Sequence, residues 1–214
     1  MSPTTQPPAP FPYQLRRIST ALKDGAVPEE LDKWNQAVLL GFHAARAAPE
    51  AITQFVASGE RDGQTVTGAY QDGIPDGIPD GAWDNGFPVA TYATYTSTLN
   101  IGAGRLLPCH LVTAVTVRPS HRRRGLLRTM ITTDLARAKD AGLPMAALTA
   151  SEAGIYGRFG FGVATHAATV EVETGPRFAL RNAPAGRVET VDPGWLEDLG
   201  PRVFGTVHGR TPGS

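Results

Sequence analysis

The stretch VTVRPSHRRRGLLRTM, residues 115–130, places Arg122, Arg123, Arg124 and Gly125 where a run of β-branched residues gives way to a helical pattern. A strand, a basic-glycine turn and a helix together make an anion site. The first turn of a helix has backbone N–H groups without intrahelical partners, and its dipole favours negative charge. Glycine lets a phosphate approach the backbone with no Cβ in the way. Guanidinium groups add bidentate, charge-assisted hydrogen bonds to phosphate oxygens. From Asn85 to Thr133 there is no Asp or Glu, while Arg105, Arg118, Arg122, Arg123, Arg124 and Arg128 all lie inside that window. A one-sign cluster of this density points to an anionic ligand; a basic surface turn without a ligand is the alternative. Two other phosphate loops find no support, because neither GxxxxGK[ST] nor GxGxxG after a strand occurs.

The elements that must hold this turn can be read on either side of it. Residues 88–117 form a long strand pair: PVATYATYTSTLNI, the turn GAG, then RLLPCHLVTAVTV. Pro108 in the returning strand marks an edge, a bulge or a break. Leu127, Ile131, Leu135 and Ala138 recur at helical spacing, and Gly142 closes that helix. MAALTA reads as a short buried strand, SEAGIYGRF as a capped turn or short helix, and GVATHAATVEVE as a further strand. Upstream, Pro28 with Glu29 and Glu30 starts a helix whose apolar face is Leu31, Trp34, Val38 and Phe42. A second helix follows from Pro49 to about Ser58, and GQTVTGAYQ reads as a strand. The tandem turn-formers DGIPDGIPDGAWDNG read as a surface loop. The fold class expected is α/β, with a mixed, mostly antiparallel central sheet flanked by helices.

The segment from Arg122 to Leu127 resembles motif A of the Gcn5-related N-acetyltransferases (GNAT), Gln/Arg-x-x-Gly-x-Gly/Ala, with Leu127 departing at the last position. AVTVRPSHRRRGLLRTM followed by AALTASEAGIYGRFGFG closely resembles the enhanced intracellular survival (Eis) family of acetyltransferases, in which leucine at that position is usual. The likeness is most specific over residues 114–163, and the topology extends it to 13–174. MSPTTQPPAPFP reads as a disordered, proline-stiffened lead-in at 1–12 and GPRFALRNAPAG as a linker at 175–186, while the resemblance implies a GNAT domain at 13–174 and the start of a second, truncated GNAT-like domain at 187–214. There RVETV reads as a strand and DPGWLEDLGPRVFGTVHG as a helix broken near LGP.

The same resemblance implies acetyl-coenzyme A as cofactor and a primary amine, on an aminoglycoside or a lysine, as acceptor. Val115, Thr116 and Val117 would meet the pantetheine arm through their backbone. Arg122, Arg123, Arg124, Gly125, Leu126, Leu127 and Arg128 would hold the pyrophosphate, and Ser151 and Glu152 would line the cofactor. Ser151 also reads as a helix N-cap. Tyr156 maps onto the family's general acid, since a phenol of ordinary pKa near 10 carries a proton to give at neutral pH. The family's base is proposed to be a carboxylate at the far C-terminus, which has no counterpart in these 214 residues. Phe159 and Phe161 read as core. Trp34 and Phe42 could line an amine pocket, but their spacing favours core packing.

Composition bounds the alternatives. Twenty basic and 20 acidic side chains give no net charge, which disfavours a nucleic-acid domain built on the arginines and any bulk attraction to membranes. No apolar run reaches the roughly 18 residues of a spanning helix. MSPTTQPPAPFP does not read as a secretory signal, and the single Cys109 suits a reducing cytoplasm. Cys109 reads as a small buried residue. His43, His110, His121, His166 and His208 show no ligand spacing, so no metal is expected. Full-length family proteins form homo-oligomers. The competing functional reading is a non-catalytic acyl-coenzyme A-binding module.

Overall fold

The computed structural model describes residues 11–71, 86–150, 152–166, 168–179, 181–182, 185–186 and 189–213. Most of the lead-in (1–10), most of the turn-forming loop (72–85), Ser151 and the first residues of RVETV (187 and 188) lie outside them. The chain divides into two compact units, Met1–Ser97 with Pro108–Glu152, and Thr98–Leu107 with Ala153–Ser214.

In chain order the elements are β1 (Tyr13–Ser19), α1 (Glu29–Gly41), α2 (Pro49–Arg61), β2 (Thr65–Gln71), β3 (Ala90–Asn100), β4 (Leu106–Val117), α3 (Leu126–Asp140), β5 (Ala146–Leu148) and α4 (Trp195–Arg210). The five strands form one sheet in the order β1-β2-β3-β4-β5. β1 with β2 and β2 with β3 run antiparallel, whereas β4 with β5 runs parallel. This is a mixed, mostly antiparallel sheet flanked by helices.

Successive residues of a strand face opposite sides, and here each side has its own helices. On one side Leu31 and Trp34 of α1 and Ile52 and Val56 of α2 pack with Val66 of β2 and Ala93 of β3, all buried. Full burial of one such side chain is worth about 1.5–3 kcal/mol, so this layer fixes α1 and α2 to the sheet. The Trp34 indole N–H is not wasted in the core: it donates to the carbonyl of Thr67 at 2.9 Å. On the other side the Tyr92 hydroxyl donates to Asp134 Oδ2 of α3 at 3.1 Å, and His110 Nε2 of β4 meets the same oxygen at 2.6 Å. Leu126, Met130, Ile131 and Ala138 bury the remaining inner face of α3.

Several expectations change. β1 carries no strong sequence signal, being an edge strand with Gln14, Arg16 and Arg17 among its residues, yet it pairs along its whole length with β2. Residues 162–173 form no strand where they are described, and Val163, Val170 and Val172 are exposed; among the described residues nothing pairs with them, and a strand exists only through its partner. No strand is assigned to the described part of RVETV, residues 189–191. MAALTA keeps only three residues of strand, half-buried rather than buried. α4 is not broken near LGP: it continues through Pro201 for 16 residues, because a proline removes one backbone donor while the flanking turns keep theirs. Asp192 anchors its start by accepting the Gly194 N–H at 2.9 Å. Within the second unit, Asn100 donates to the carbonyl of His208 at 2.6 Å and Thr98 Oγ1 meets His208 Nε2 at 2.9 Å.

Candidate anion and strand-edge site

The site begins where β5 stops. The parallel ladder joins His110–Val112 of β4 to Ala146–Leu148 of β5 and goes no further, although β4 runs on to Val117. From Thr113 onward β4 therefore presents backbone groups on the β5 side with no β5 residue opposite. Pro108, before the ladder begins, occupies a position where its missing N–H costs nothing.

β4 is not a regular strand over this stretch. Ala114 has φ of 50°, a left-handed conformation that costs of order 1–3 kcal/mol in a residue with a Cβ. The faces change there. His110 points to Asp134 of α3, whereas Thr116, six residues on, contacts Thr91 Oγ1 at 2.7 Å on the opposite face. The backbone changes with them. The His110 N–H donates towards β5, to Met145 O, but the Arg118 N–H, eight residues on, donates to Val89 O on the β3 side. An even count should preserve both directions in an unbroken strand, so one extra residue, a β-bulge, sits at Ala114. Beyond it the N–H groups of Val115 and Val117 fall on the open edge. α1 closes the other side of this segment: a Cβ at Gly41 would stand 2.4 Å from Thr116 Cβ, so only glycine allows the approach.

β4 leads directly into the arginine turn. Pro119–His121 makes one 3-10 turn, Arg123 and Gly125 take left-handed φ of 64° and 82°, and α3 starts at Leu126 with no side-chain cap. The first-turn N–H groups of α3 thus face outward unpaired by a cap. Arg122, Arg123, Arg124 and Arg128 are all exposed, and among the described residues no carboxylate forms an ion pair with any of them. Arg124 is steered by a hydrogen bond to the Tyr13 hydroxyl at 3.1 Å, and Arg122 Nε donates weakly to Val117 O at 3.3 Å. A Cβ at Gly125 would meet nothing within 4 Å, so the approach to the backbone is open. Unpaired amides, uncompensated guanidiniums and an open glycine suit a phosphate or pyrophosphate group.

His121 sits beneath this turn, between Gln71 Oε1 at 2.8 Å and Ser120 Oγ at 2.9 Å. Burial, then the positive charges of Arg124 and Arg118, hold its pKa below the ordinary histidine value. A depressed histidine leaves the folded state binding fewer protons than the unfolded chain. Its contribution to stability is therefore intact above the unfolded pKa and is lost as the pH falls through the folded one. An anion in the turn offsets the arginine charges and should raise that pKa. NMR titration of the His121 ring proton with and without inorganic pyrophosphate checks this; an unchanged midpoint would mean that no phosphate seats beside Arg124.

The other expected residues are distributed as follows. Glu152 is exposed. Tyr156 is half-buried in the second unit, between the 3-10 turns Ala153–Ile155 and Gly157–Phe159. Its ring meets Phe161 edge-on at 6.1 Å, and its carbonyl accepts the Phe159 N–H at 2.9 Å. Phe159 and Phe161 are only half-buried, so neither is core. Trp34 is core and 3% exposed, which removes its ring from any amine pocket, whereas Phe42 is 55% exposed, its position falling past the last turn of α1. Cys109 is fully buried, and burial raises its thiol pKa, the reverse of what a nucleophile needs. Missed in the sequence were Thr91 and Gly41, each more than 20 positions from the β4 residues it serves.

Known proteins resemble this chain. Residues 26–164 match the acetyltransferase (GNAT) domain family. A Streptomyces griseus protein described as an uncharacterized N-acetyltransferase is 36% identical over 191 residues, 87% of this chain but 42% of its own length. The chain thus spans less than half of that relative. N-acetyltransferase Eis of Mycobacterium tuberculosis is 51% identical over 82 residues, 37% of this chain and 19% of that protein. Among solved structures, a predicted acetyltransferase with acetyl-CoA from Clostridium acetobutylicum aligns with a TM-score of 0.52 at 14% identity, over 74% of this chain and 96% of that one, a likeness of fold. With the domain match covering more than half of its residues, the chain belongs to the GNAT acetyltransferase family.

Proposed function

We propose that this chain binds acetyl-coenzyme A along the open edge of β4 and at the start of α3, and that it is the N-terminal part of an Eis-type enzyme that acetylates a primary amine. One observation carries the reading: between Thr113 and Arg128 a single continuous segment offers first a released strand edge and then an uncapped, arginine-lined helix start. A ligand with an amide-rich arm ending in a pyrophosphate fits both halves at once. The backbone of Val115, Thr116 and Val117 pairs with the arm as an added strand would. Arg122, Arg123, Arg124 and Arg128, with the amides of Gly125, Leu126 and Leu127, hold the phosphates. Ser151 and Glu152 line the same ligand.

When bound, acetyl-coenzyme A supplies an activated thioester. With it bound, the N–H near Val115 would donate to the thioester carbonyl oxygen as the acceptor's amine displaces the thiolate, Tyr156 would give its proton to the sulfur, and the proton shed by the amine would return through solvent to the phenol. Aminoglycosides and lysine side chains are the acceptors proposed, and the identity with the mycobacterial Eis segment supports them. The exposed apolar residues Leu196, Leu199, Val203 and Val207 of α4 support reading residues 187–214 as the start of a second GNAT-like domain after a linker at 175–186. A homo-oligomeric full-length protein in the cytoplasm belongs to the same proposal. Among the described residues no helix is long and apolar enough to cross a membrane.

Calorimetric titration with acetyl-coenzyme A tests the reading, followed by transfer assays on an aminoglycoside and a lysine peptide. Arg123→Ala should weaken binding about tenfold, the scale of one charge-assisted hydrogen bond. Saturable binding without transfer, in this chain and in a longer one, would favour a non-catalytic binding module. Absence of binding would leave a basic turn and no transferase.

A further inference from the structure

We infer that Thr91 is a positioning residue for the cofactor edge: its hydroxyl holds the Ala114 bulge, and the bulge keeps the N–H groups of Val115 and Val117 on the open side of β4. The ligand named here rests on the acetyl-coenzyme A reading; the clamp itself does not.

The Thr91 side chain is fully buried on β3 and points to the face opposite Tyr92. It donates to the carbonyl of Ala114 at 2.8 Å. A hydroxyl has one proton, so at the 2.7 Å contact between the two threonines Thr116 is the donor and Thr91 the acceptor. The chain of donation is Thr116 to Thr91 to Ala114, and it spans the bulge from both ends. A left-handed alanine persists only where its surroundings over-determine it. Here they do: the carbonyl is fixed by Thr91, and Thr116 is pressed by Gly41 of α1, where any Cβ would collide. If the bulge relaxed into regular strand, the alternation set by His110 would continue. The N–H groups of Thr116 and Arg118 would then turn to the open edge, and those of Val115 and Val117 would turn towards β3. The hydrogen bond from Arg118 N–H to Val89 O at 2.9 Å would be lost. It reports the clamp without any ligand.

The test compares Thr91→Val, which keeps shape and removes the hydroxyl, with Thr91→Ser, which keeps the hydroxyl. In the free chain, amide exchange at Arg118 should quicken at least tenfold in T91V, stay near wild type in T91S, and leave the α3 amides at Met130 and Ile131 unchanged. Acetyl-coenzyme A affinity should fall about tenfold in T91V and recover in T91S. Unchanged Arg118 exchange in folded T91V overturns the clamp, as does quickened exchange with undiminished affinity. If the wild-type chain does not bind acetyl-coenzyme A, the functional reading fails, and the exchange data alone judge Thr91. Should T91V not fold, NMR of the wild-type chain decides: a slowly exchanging Thr91 hydroxyl proton with a cross-peak to Ala114 supports the clamp, and its absence overturns it.

Discussion

Asp134→Ala should destabilise the fold by about 2–5 kcal/mol, because two hydrogen-bonding groups lose one acceptor and each buried group left unmatched costs about 1–3 kcal/mol. Asp134 stands in the middle of α3 with His110 Nε2 at 2.6 Å and the Tyr92 hydroxyl at 3.1 Å on one carboxylate oxygen. The His110 and Asp134 side chains are only 9% and 10% exposed. The Tyr92 side chain is buried, and the other nitrogen of His110 is already buried without a partner. The cost therefore comes from the groups left behind rather than from the attraction lost. That distinction predicts a second result: replacing His110 and Asp134 together with leucine should recover much of the loss, because no buried donor then faces an empty site except the tyrosine hydroxyl. Urea unfolding of the single and double variants measures both. A loss under about 1 kcal/mol for Asp134→Ala would mean that water reaches this pocket and that α3 is held by its apolar face alone.

The contrast between this network and the arginine turn explains what the sequence made legible. The turn is local: three arginines, a glycine and the first residues of a helix are consecutive, so their chemistry can be read before any fold is known. The helices α1 and α3 are legible for the same reason, through apolar spacing and through Gly142, whose φ of 78° ends α3. The bulge is not local. Alanine within a run of Val and Thr carries no turn signal, and the hydroxyl that holds it lies 23 positions earlier on another strand. Asp134 likewise meets partners distant in sequence, Tyr92 of β3 and His110 of β4. β1 was hidden because an edge strand has one free side and can carry arginines, two of which contact Tyr70 and Thr65 across the pair. The strand expected at 162–173 failed in the opposite sense: its alternation is present, but alternation specifies which face is buried only when a partner exists.

Tyr156→Phe should lower kcat by about 10²–10⁴-fold, the usual worth of a positioned general acid, while the dissociation constant for acetyl-coenzyme A stays within about twofold. The substitution keeps the ring, its edge contact with Phe161 and the backbone hydrogen bonds at Tyr156. What is lost is the hydroxyl, and with it the proton. Departure of an unprotonated thiolate is costly in proportion to the pKa of the thiol, so the defect should depend on the acetyl donor. With acetyl-coenzyme A the full loss is expected. With an acetyl thioester of a more acidic thiol, which departs without help, the gap between Tyr156→Phe and wild type should narrow by tenfold or more. A merely structural tyrosine predicts the same fractional loss with both donors, and a kcat within threefold of wild type would remove Tyr156 from the chemistry altogether. The donor comparison separates these outcomes on one pair of proteins.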